Sequence, residues 1–383
     1  MHNSHFRGGT VERFQKALIM RDLSKKMVLL AGPRQAGKTT LAKSIALEFD
    51  SSIYLNYDNP KDREIILKQS WRPSTELILL DEIHKMDMWK NYLKGVFDTK
   101  LPHQKILVTG SARLEVFTEA GDSLAGRYFL HRLMPLSLAE CARTGKEYPL
   151  DRFLERGGFP EPFLAEDLIE ASRWRLQYVN GLLREDVLNF ENIQNLKAIQ
   201  LVFELLRDRV GSPISYSSIA RDVAISPHTV KKYIQILEAL YIIFLVTPFS
   251  KNIARSLLKE PKVYFFDVGL VRGSSGIRWE NFVASSLLKH VLAKTDYLAE
   301  EGSLHYLQTK EKKEVDFALV KNGDIYQIIE VKQADDAIHP ALSYFHEKYN
   351  YPAIQVVKEL KKEYRSGEIE VVHGDSFLKR LYL

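Results

Sequence analysis

Short unbroken apolar runs and stretches of helical periodicity alternate through the first third of this 383-residue chain. Met27–Ala31 and residues 77–80 are continuous apolar runs of strand length, the pattern of strands covered on both faces, and Lys105–Thr109 reads as a further strand. Residues 52–57 read as another strand, and Tyr128-Phe129-Leu130 begins a fifth. Val11, Phe14, Ala17 and Leu18 recur at helical spacing in a leading segment that ends near Lys26, and residues 41–49 read as a helix behind the first strand. Strands alternating with helices predict a parallel α/β sheet with ligands at the C-terminal strand ends.

The pattern then changes. Residues 151–209 are helical throughout, with Trp174, Leu176, Val179, Leu182 and Leu183 on the faces expected to be buried. Gly211-Ser212-Pro213 breaks that pattern. Two short helices follow, over Tyr216–Val223 and 227–237, with Ala224-Ile225-Ser226 as the turn and a strand over 241–246 behind them. Ser226 suits an N-cap, and Pro227 suits the first helical position. Further on, a helix from Trp279 to about Leu292 precedes an alternating strand over 314–320, a turn at Asn322-Gly323-Asp324 and a returning strand over 325–332. The expected organisation is a P-loop NTPase parallel sheet over 1–140, a helical lid over 141–210, a winged helix over 211–275 and a small α/β domain over 276–383.

Composition narrows the class. With 45% hydrophobic residues the chain can build several cores. A net charge of +5 permits nucleic-acid binding without arguing for it. The single cysteine, Cys141, rules out a disulfide framework and suits a reducing cytoplasm. No apolar run reads as a signal peptide or a membrane span, so a soluble cytoplasmic protein is expected.

The first strand runs into Gly32-Pro33-Arg34-Gln35-Ala36-Gly37-Lys38-Thr39-Thr40, which satisfies G-x-x-x-x-G-K-[ST]. Glycines let successive N–H groups converge on phosphate oxygens, and the following helix N-terminus adds partial positive charge. Lys38 can reach the β and γ phosphates of ATP, and the Thr39 hydroxyl can ligate Mg²⁺. The third strand ends in Asp81-Glu82. A carboxylate there can hold nucleotide-bound Mg²⁺ through water, and the next can polarise an attacking water. Ser111 or Thr109, at the tip of the fourth strand, can orient water or the γ-phosphate, or be ordinary strand-end polar residues. Arg127 and Arg113 compete to supply charge to the transition state, in cis or from a neighbouring subunit.

The blocks Gly-Pro-Arg-Gln-x-Gly-Lys-Thr-Thr (32–40), Leu-Leu-Asp-Glu-Ile-His (79–84), Thr-Gly-Ser-Ala (109–112) and Leu-Ala-Gly-Arg (124–127) occur in one order with Met134-Pro135-Leu136-Ser137-Leu138-Ala139-Glu140 and Gly157-Gly158-Phe159-Pro160. In that order they resemble the prokaryotic AAA-type ATPases that carry a nuclease-fold C-terminal domain of unknown function. The resemblance spans essentially the whole chain. It implies ATP binding and ATP hydrolysis and leaves the biological role open.

For the helix pair, one reading is a DNA reader with His228, Thr229 and Lys232 near bases and Lys231 and Lys251 on phosphates. The other is a winged helix used for packing or protein contacts, so a protein partner or a homo-oligomer stays open. In the last third, Asp316 followed by Glu330-x-Lys332 on the next strand resembles the restriction-endonuclease-like fold. In that pattern two carboxylates bind Mg²⁺ and the lysine stabilises the nucleophile or the phosphate. Glu280 would add a third carboxylate; the other reading is an inactive, charge-decorated hairpin. Register decides part of this. A two-residue loop at Asn322-Gly323 sets Asp316 opposite Ile329 and puts the two carboxylates on opposite faces, whereas an odd loop or a bulge brings Asp316 across from Glu330.

Overall fold

The protein is described here from a computed structural model covering residues 11–110, 124–186, 195–250 and 259–383. It divides into two compact units, Thr10–Pro135 and Leu136–Leu383.

The N-terminal unit contains α1 (Gln15–Leu23), β1 (Met27–Ala31), α2 (Lys38–Ala46), β2 (Ser52–Asn56), α3 (Pro60–Lys68), β3 (Leu77–Asp81), α4 (Trp89–Thr99), β4 (Lys105–Thr109) and β5 (Tyr128–Arg132). Its sheet is parallel throughout, in the order β2-β3-β4-β1-β5. The continuous apolar runs are explained by two cores, one on each face. Met27, Leu29, Ile78, Leu80, Ile106 and Val108 pack with α4, while Val28, Leu30, Leu79 and Leu107 pack with α1 and α2. The helix behind the phosphate loop begins at Lys38, three residues earlier than the periodicity suggests. Gly37, in the left-handed conformation, is the last residue outside it. On α1, Asp22 lies 3.0 Å from His131 Nε2 of β5. Burial pulls His131 down to about 4 against the pull of Asp22, so the imidazole is neutral at pH 7.

The C-terminal unit opens with helices α5 (Leu138–Arg143), α6 (Leu150–Arg156), α7 (Pro160–Leu164), α8 (Leu168–Gly181) and α9 (Leu196–Arg207). The helix pair follows as α10 (Tyr216–Val223) and α11 (Pro227–Ala239). The Ser226 side chain accepts from the Thr229 amide, as an N-cap should, and Pro227 takes the first turn. Then come β6 (Ile243–Pro248), β7 (Lys262–Phe265), α12 (Ser275–Leu298), β8 (Gly302–Gln308), β9 (Glu314–Lys321), β10 (Asp324–Lys332), α13 (Pro340–Tyr349), β11 (Ala353–Val357), β12 (Tyr364–Ser366), β13 (Ile369–His373) and α14 (Gly374–Lys379).

These strands form one sheet in the order β12-β13-β11-β10-β9-β8-β6-β7. The expected boundary between 275 and 276 therefore falls inside a single sheet: Thr247 and Pro248 of β6 pair in parallel with His305 and Tyr306 of β8. Strand β6 begins at Ile243 rather than at Tyr241, which adopts φ 56° where α11 turns into the strand. A buried ion pair ties α5 to α12, with Lys289 Nζ 2.5 Å from Glu140 Oε2. Among the described residues no helix is long and apolar enough to cross a membrane.

Candidate nucleotide site and carboxylate cluster

Strand β1 delivers the phosphate loop at the C-terminal edge of the first sheet. The loop curls through φ 136° at Gly32, 59° at Gln35 and 93° at Gly37. A Cβ at Gly32 would sit 2.4 Å from the Leu133 carbonyl oxygen, so backbone packs where a side chain would be. Arg13 braces the loop from outside, donating to the carbonyls of Ala36 at 2.8 Å and Met134 at 2.6 Å. No sequence motif marks Arg13.

Lys38 folds back over the loop and donates to the carbonyls of Gly32 at 2.9 Å and Pro33 at 2.6 Å. Burial pulls it down to about 8, against the opposing pull of Glu82 and Asp81. A lysine depressed in the fold favours the neutral form, so its contribution to stability is complete above its unfolded pKa and is lost as pH falls through about 8. A triphosphate needs the ammonium. Above pH about 8 binding must therefore take up a proton, and ATP affinity should fall by up to ~10-fold per pH unit. Calorimetry from pH 7 to 9.5 in buffers of different ionisation enthalpy would read both the affinity and the proton. A flat profile with no proton uptake would remove this role of the depressed lysine.

The register puts Asp81 of β3 beside Thr109 of β4, and Thr109 beside Leu30 of β1. Asp81 therefore faces the phosphate loop across one strand tip. Its Oδ2 accepts from the Thr39 hydroxyl at 3.1 Å and from the Tyr54 hydroxyl at 2.8 Å; its Oδ1 accepts from Thr109. Burial, then the hydrogen bond to Asp81, raises Tyr54 well above its ordinary value, so it stays a donor. Thr39 and Asp81 are thus already adjacent and are the pair that would hold Mg²⁺. Glu82 has φ 57°, unusual for a residue with a side chain, and its Oε2 lies 3.3 Å from Lys85 Nζ and 3.6 Å from His84 Nε2.

Arg127 does not join this group. It immediately precedes β5, whose Tyr128 pairs with Met27 at the start of β1, so it stands at the sheet edge opposite the loop. There its Nε and Nη2 grip Asp98 at 2.8 and 3.0 Å. Of the two roles left open for it, in its own chain or in a neighbouring subunit, strand direction argues against the first: the residue before a parallel strand lies at the far edge. The arginine that the register sets beside Ala31 is Arg132. Ser111, with Arg113 and Lys251, lies outside the described residues.

In the C-terminal unit, Lys321 pairs with Asp324, so Asn322-Gly323 is the two-residue loop that its sequence favours. A bulge follows at once: the register shifts between Ile325 and Gln327, and Ile329 then pairs with Phe317. Glu330 thereby falls opposite Asp316, on one face. The contacts agree. The Asp316 amide points to Glu330 Oε2 at 3.4 Å, the Val331 amide donates to Asp316 Oδ2 at 2.9 Å, and Lys332 Nζ lies 2.7 Å from Glu330 Oε1.

Glu280 joins from α12. The Asn281 side chain brackets the Phe265 backbone, accepting from its amide at 2.7 Å and donating to its carbonyl at 2.9 Å. That clamp sets Glu280 against β7, where it accepts from the Tyr264 hydroxyl at 2.8 Å. Sequence reasoning missed three members. Lys262 of β7, only 1% exposed, reaches Glu314 Oε1 at 2.5 Å and Asp316 Oδ1 at 3.9 Å; Tyr264 binds Glu280; and His339 Nδ1 sits 3.3 Å from Glu330 Oε1. The one available signal was a lysine immediately before the apolar run Val263-Tyr264-Phe265. Burial raises Glu280, Asp316 and Glu330 above the usual carboxylate range; Asp316 raises the other two further, and Lys262 opposes the rise at Asp316. Burial also pulls Lys262 down, but Asp316, Glu280 and Glu314 outweigh it and hold the ammonium above its ordinary value. Among the described residues no group of three or more His, Cys, Asp or Glu side chains is arranged to hold a metal ion. The donors are present, yet an ammonium stands among them.

Comparison with known proteins adds three family matches. Residues 24–142 match an AAA domain, residues 148–281 match a domain of unknown function (DUF8612) and residues 275–374 match another (DUF4143). An uncharacterized protein of Mycobacterium tuberculosis is 26% identical over 316 residues, 78% of this chain and 69% of that one. One of Methanocaldococcus jannaschii is 26% identical over 347 residues, covering 81% and 77%, and one of Haemophilus influenzae is 22% identical over 397, covering 94% and 96%. Among solved structures, a Walker-type ATPase of Pyrococcus abyssi aligns with TM-score 0.42 and 15% identity over 67% of this chain and 93% of that one. The AAA match falls on the parallel sheet and phosphate loop just described. The N-terminal unit carries an AAA-type P-loop ATPase domain.

Proposed function

We propose that the chain is a cytoplasmic ATPase that hydrolyses ATP with Mg²⁺ and couples the cycle to DNA. The observation that carries the first half is the Thr39 hydroxyl bonded to Asp81 beside a loop from which Lys38 can swing. Lys38 and the amides of residues 32–40 hold the phosphates. Thr39 and Asp81 hold the Mg²⁺ that neutralises phosphate charge. Tyr54 and Thr109 fix the Asp81 carboxylate by donating to it. Glu82 is the base that orients water, and its left-handed backbone aims it away from the strand. A charge for the transition state comes from Arg127 of a neighbouring copy or from Arg132.

The DNA half rests on α10 and α11, read as a helix-turn-helix inside a winged helix. His228 and Lys231 are exposed on α11, as phosphate or base contacts must be. Thr229 is a weaker candidate, because its hydroxyl lies 2.8 Å from that of Ser226 within the cap. The C-terminal sheet is read as a restriction-endonuclease-like fold retained for binding. Lys262 among the carboxylates favours that reading over cleavage.

The test is ATP turnover by the purified full chain with and without duplex DNA. The expected result is Mg²⁺-dependent turnover that DNA raises several-fold. DNA affinity should fall steeply with salt, at a log–log slope of about −0.9 per phosphate contacted. No DNA binding at low salt would turn the reading towards a protein partner. No turnover under any condition would leave a nucleotide-dependent switch.

A further inference from the structure

The carboxylate cluster presents an electrostatic problem that the ATPase does not need. Glu330 is buried against the part-buried Asp316, Glu280 is held nearby by Tyr264, and Glu314 is more exposed at their edge. Buried carboxylates brought together are held either by taking up protons or by an opposite charge set among them. A divalent ion is the usual solution for carboxylates on one face of a strand pair. Here Lys332, half-buried, pairs with Glu330, and Lys262 reaches the carboxylates from β7, which β6 and β8 separate from β9 in the sheet order. Its side chain is only 2% exposed, and its ammonium sits 2.5 Å from Glu314 and 3.9 Å from Asp316. The Tyr306 ring, its centroid 5.3 Å away, adds an aromatic face. A lysine so enclosed cannot be a hand extended to a substrate. It is a tethered cation.

We propose that Lys262 is the resident cation of the Glu280–Glu314–Asp316–Glu330 cluster, that it closes the cluster to divalent ions in the native chain, and that removing its charge opens a divalent-metal site there. Two cations cannot share the space. An ion bound to Asp316 would face the ammonium at short range, and the repulsion opposes its entry. The arrangement keeps the sheet folded without metal, whereas a vacated carboxylate pocket would demand one. The inference concerns the C-terminal sheet alone and is independent of ATP binding at Lys38.

The experiment uses nucleotide-free full-length protein and Mn²⁺, followed by the loss of the free-ion paramagnetic resonance signal and by melting temperature. Glu330→Gln subtracts any ion held elsewhere. The native chain should show no Mn²⁺ binding that Glu330→Gln removes. Lys262→Met should take up one Mn²⁺ per chain at submillimolar concentration, melt higher with the ion than without it, and lose both properties when Glu330→Gln is added. Should the single variant not fold, Lys262→Met with Glu314→Gln removes the paired charges together and carries the same comparison. Native protein that binds Mn²⁺ through Glu330 would overturn the proposal. So would a folded Lys262 variant that gains no site.

Discussion

Lys38→Ala should abolish ATP binding in the micromolar to millimolar range while leaving the fold intact. The side chain donates only to loop carbonyls in the ligand-free protein, and those carbonyls can bond water instead. With ATP present it would make charge-assisted bonds to two phosphates, each worth roughly 1.5–3 kcal/mol, so the affinity should drop by at least ~100-fold. Glu82→Gln should separate binding from chemistry. The amide keeps the shape and the left-handed backbone but cannot take a proton, so ATP should still bind while turnover falls by ~10²–10⁴. Calorimetry and steady-state turnover on the two variants would check this. Equal affinity of native and Lys38→Ala protein would end the assignment of the loop.

The second large effect belongs to the C-terminal unit. Lys289→Ala should destabilise it by about 3–5 kcal/mol, because the fully buried Glu140 carboxylate loses the ammonium 2.5 Å away. A fall in Tm of roughly 10 °C is expected for a unit of this size. The double variant Glu140→Leu with Lys289→Met should recover most of it, since two apolar side chains of similar volume need no desolvated charge between them. If the single and double variants melt together, the pair is not what holds α5 to α12.

Much of the nucleotide site was legible in the chain, because its chemistry is local. Gly32 to Thr39 sits in one continuous segment, and Asp81 is marked by the apolar run it ends. The placing of Arg127 was legible too: an arginine just before a parallel strand starts at the edge remote from ligands. Arg13 and Tyr54 carry no pattern of their own. Their roles arise only when β2, β3 and the segment before α1 converge on one loop. In the C-terminal unit the sequence posed the register question in its exact form, loop parity against bulge. It could not answer it, because the shift at Tyr326 depends on how β9 and β10 twist against their neighbours. Lys262 was hidden by distance. It lies more than fifty positions before Asp316, on a strand that the expected boundary at 275/276 assigned to another domain.

That shared sheet has a practical side. A shortened gene beginning at Ser275 would encode β8 without β6, and the amide and carbonyl groups of His305 and Tyr306 would lie bare. It would also discard Lys262, the cation that pairs with Glu314 and lies 3.9 Å from Asp316. Such a fragment invites insoluble product whatever its apparent completeness on paper. Cutting before Leu136 keeps all eight strands of the second sheet in the same polypeptide.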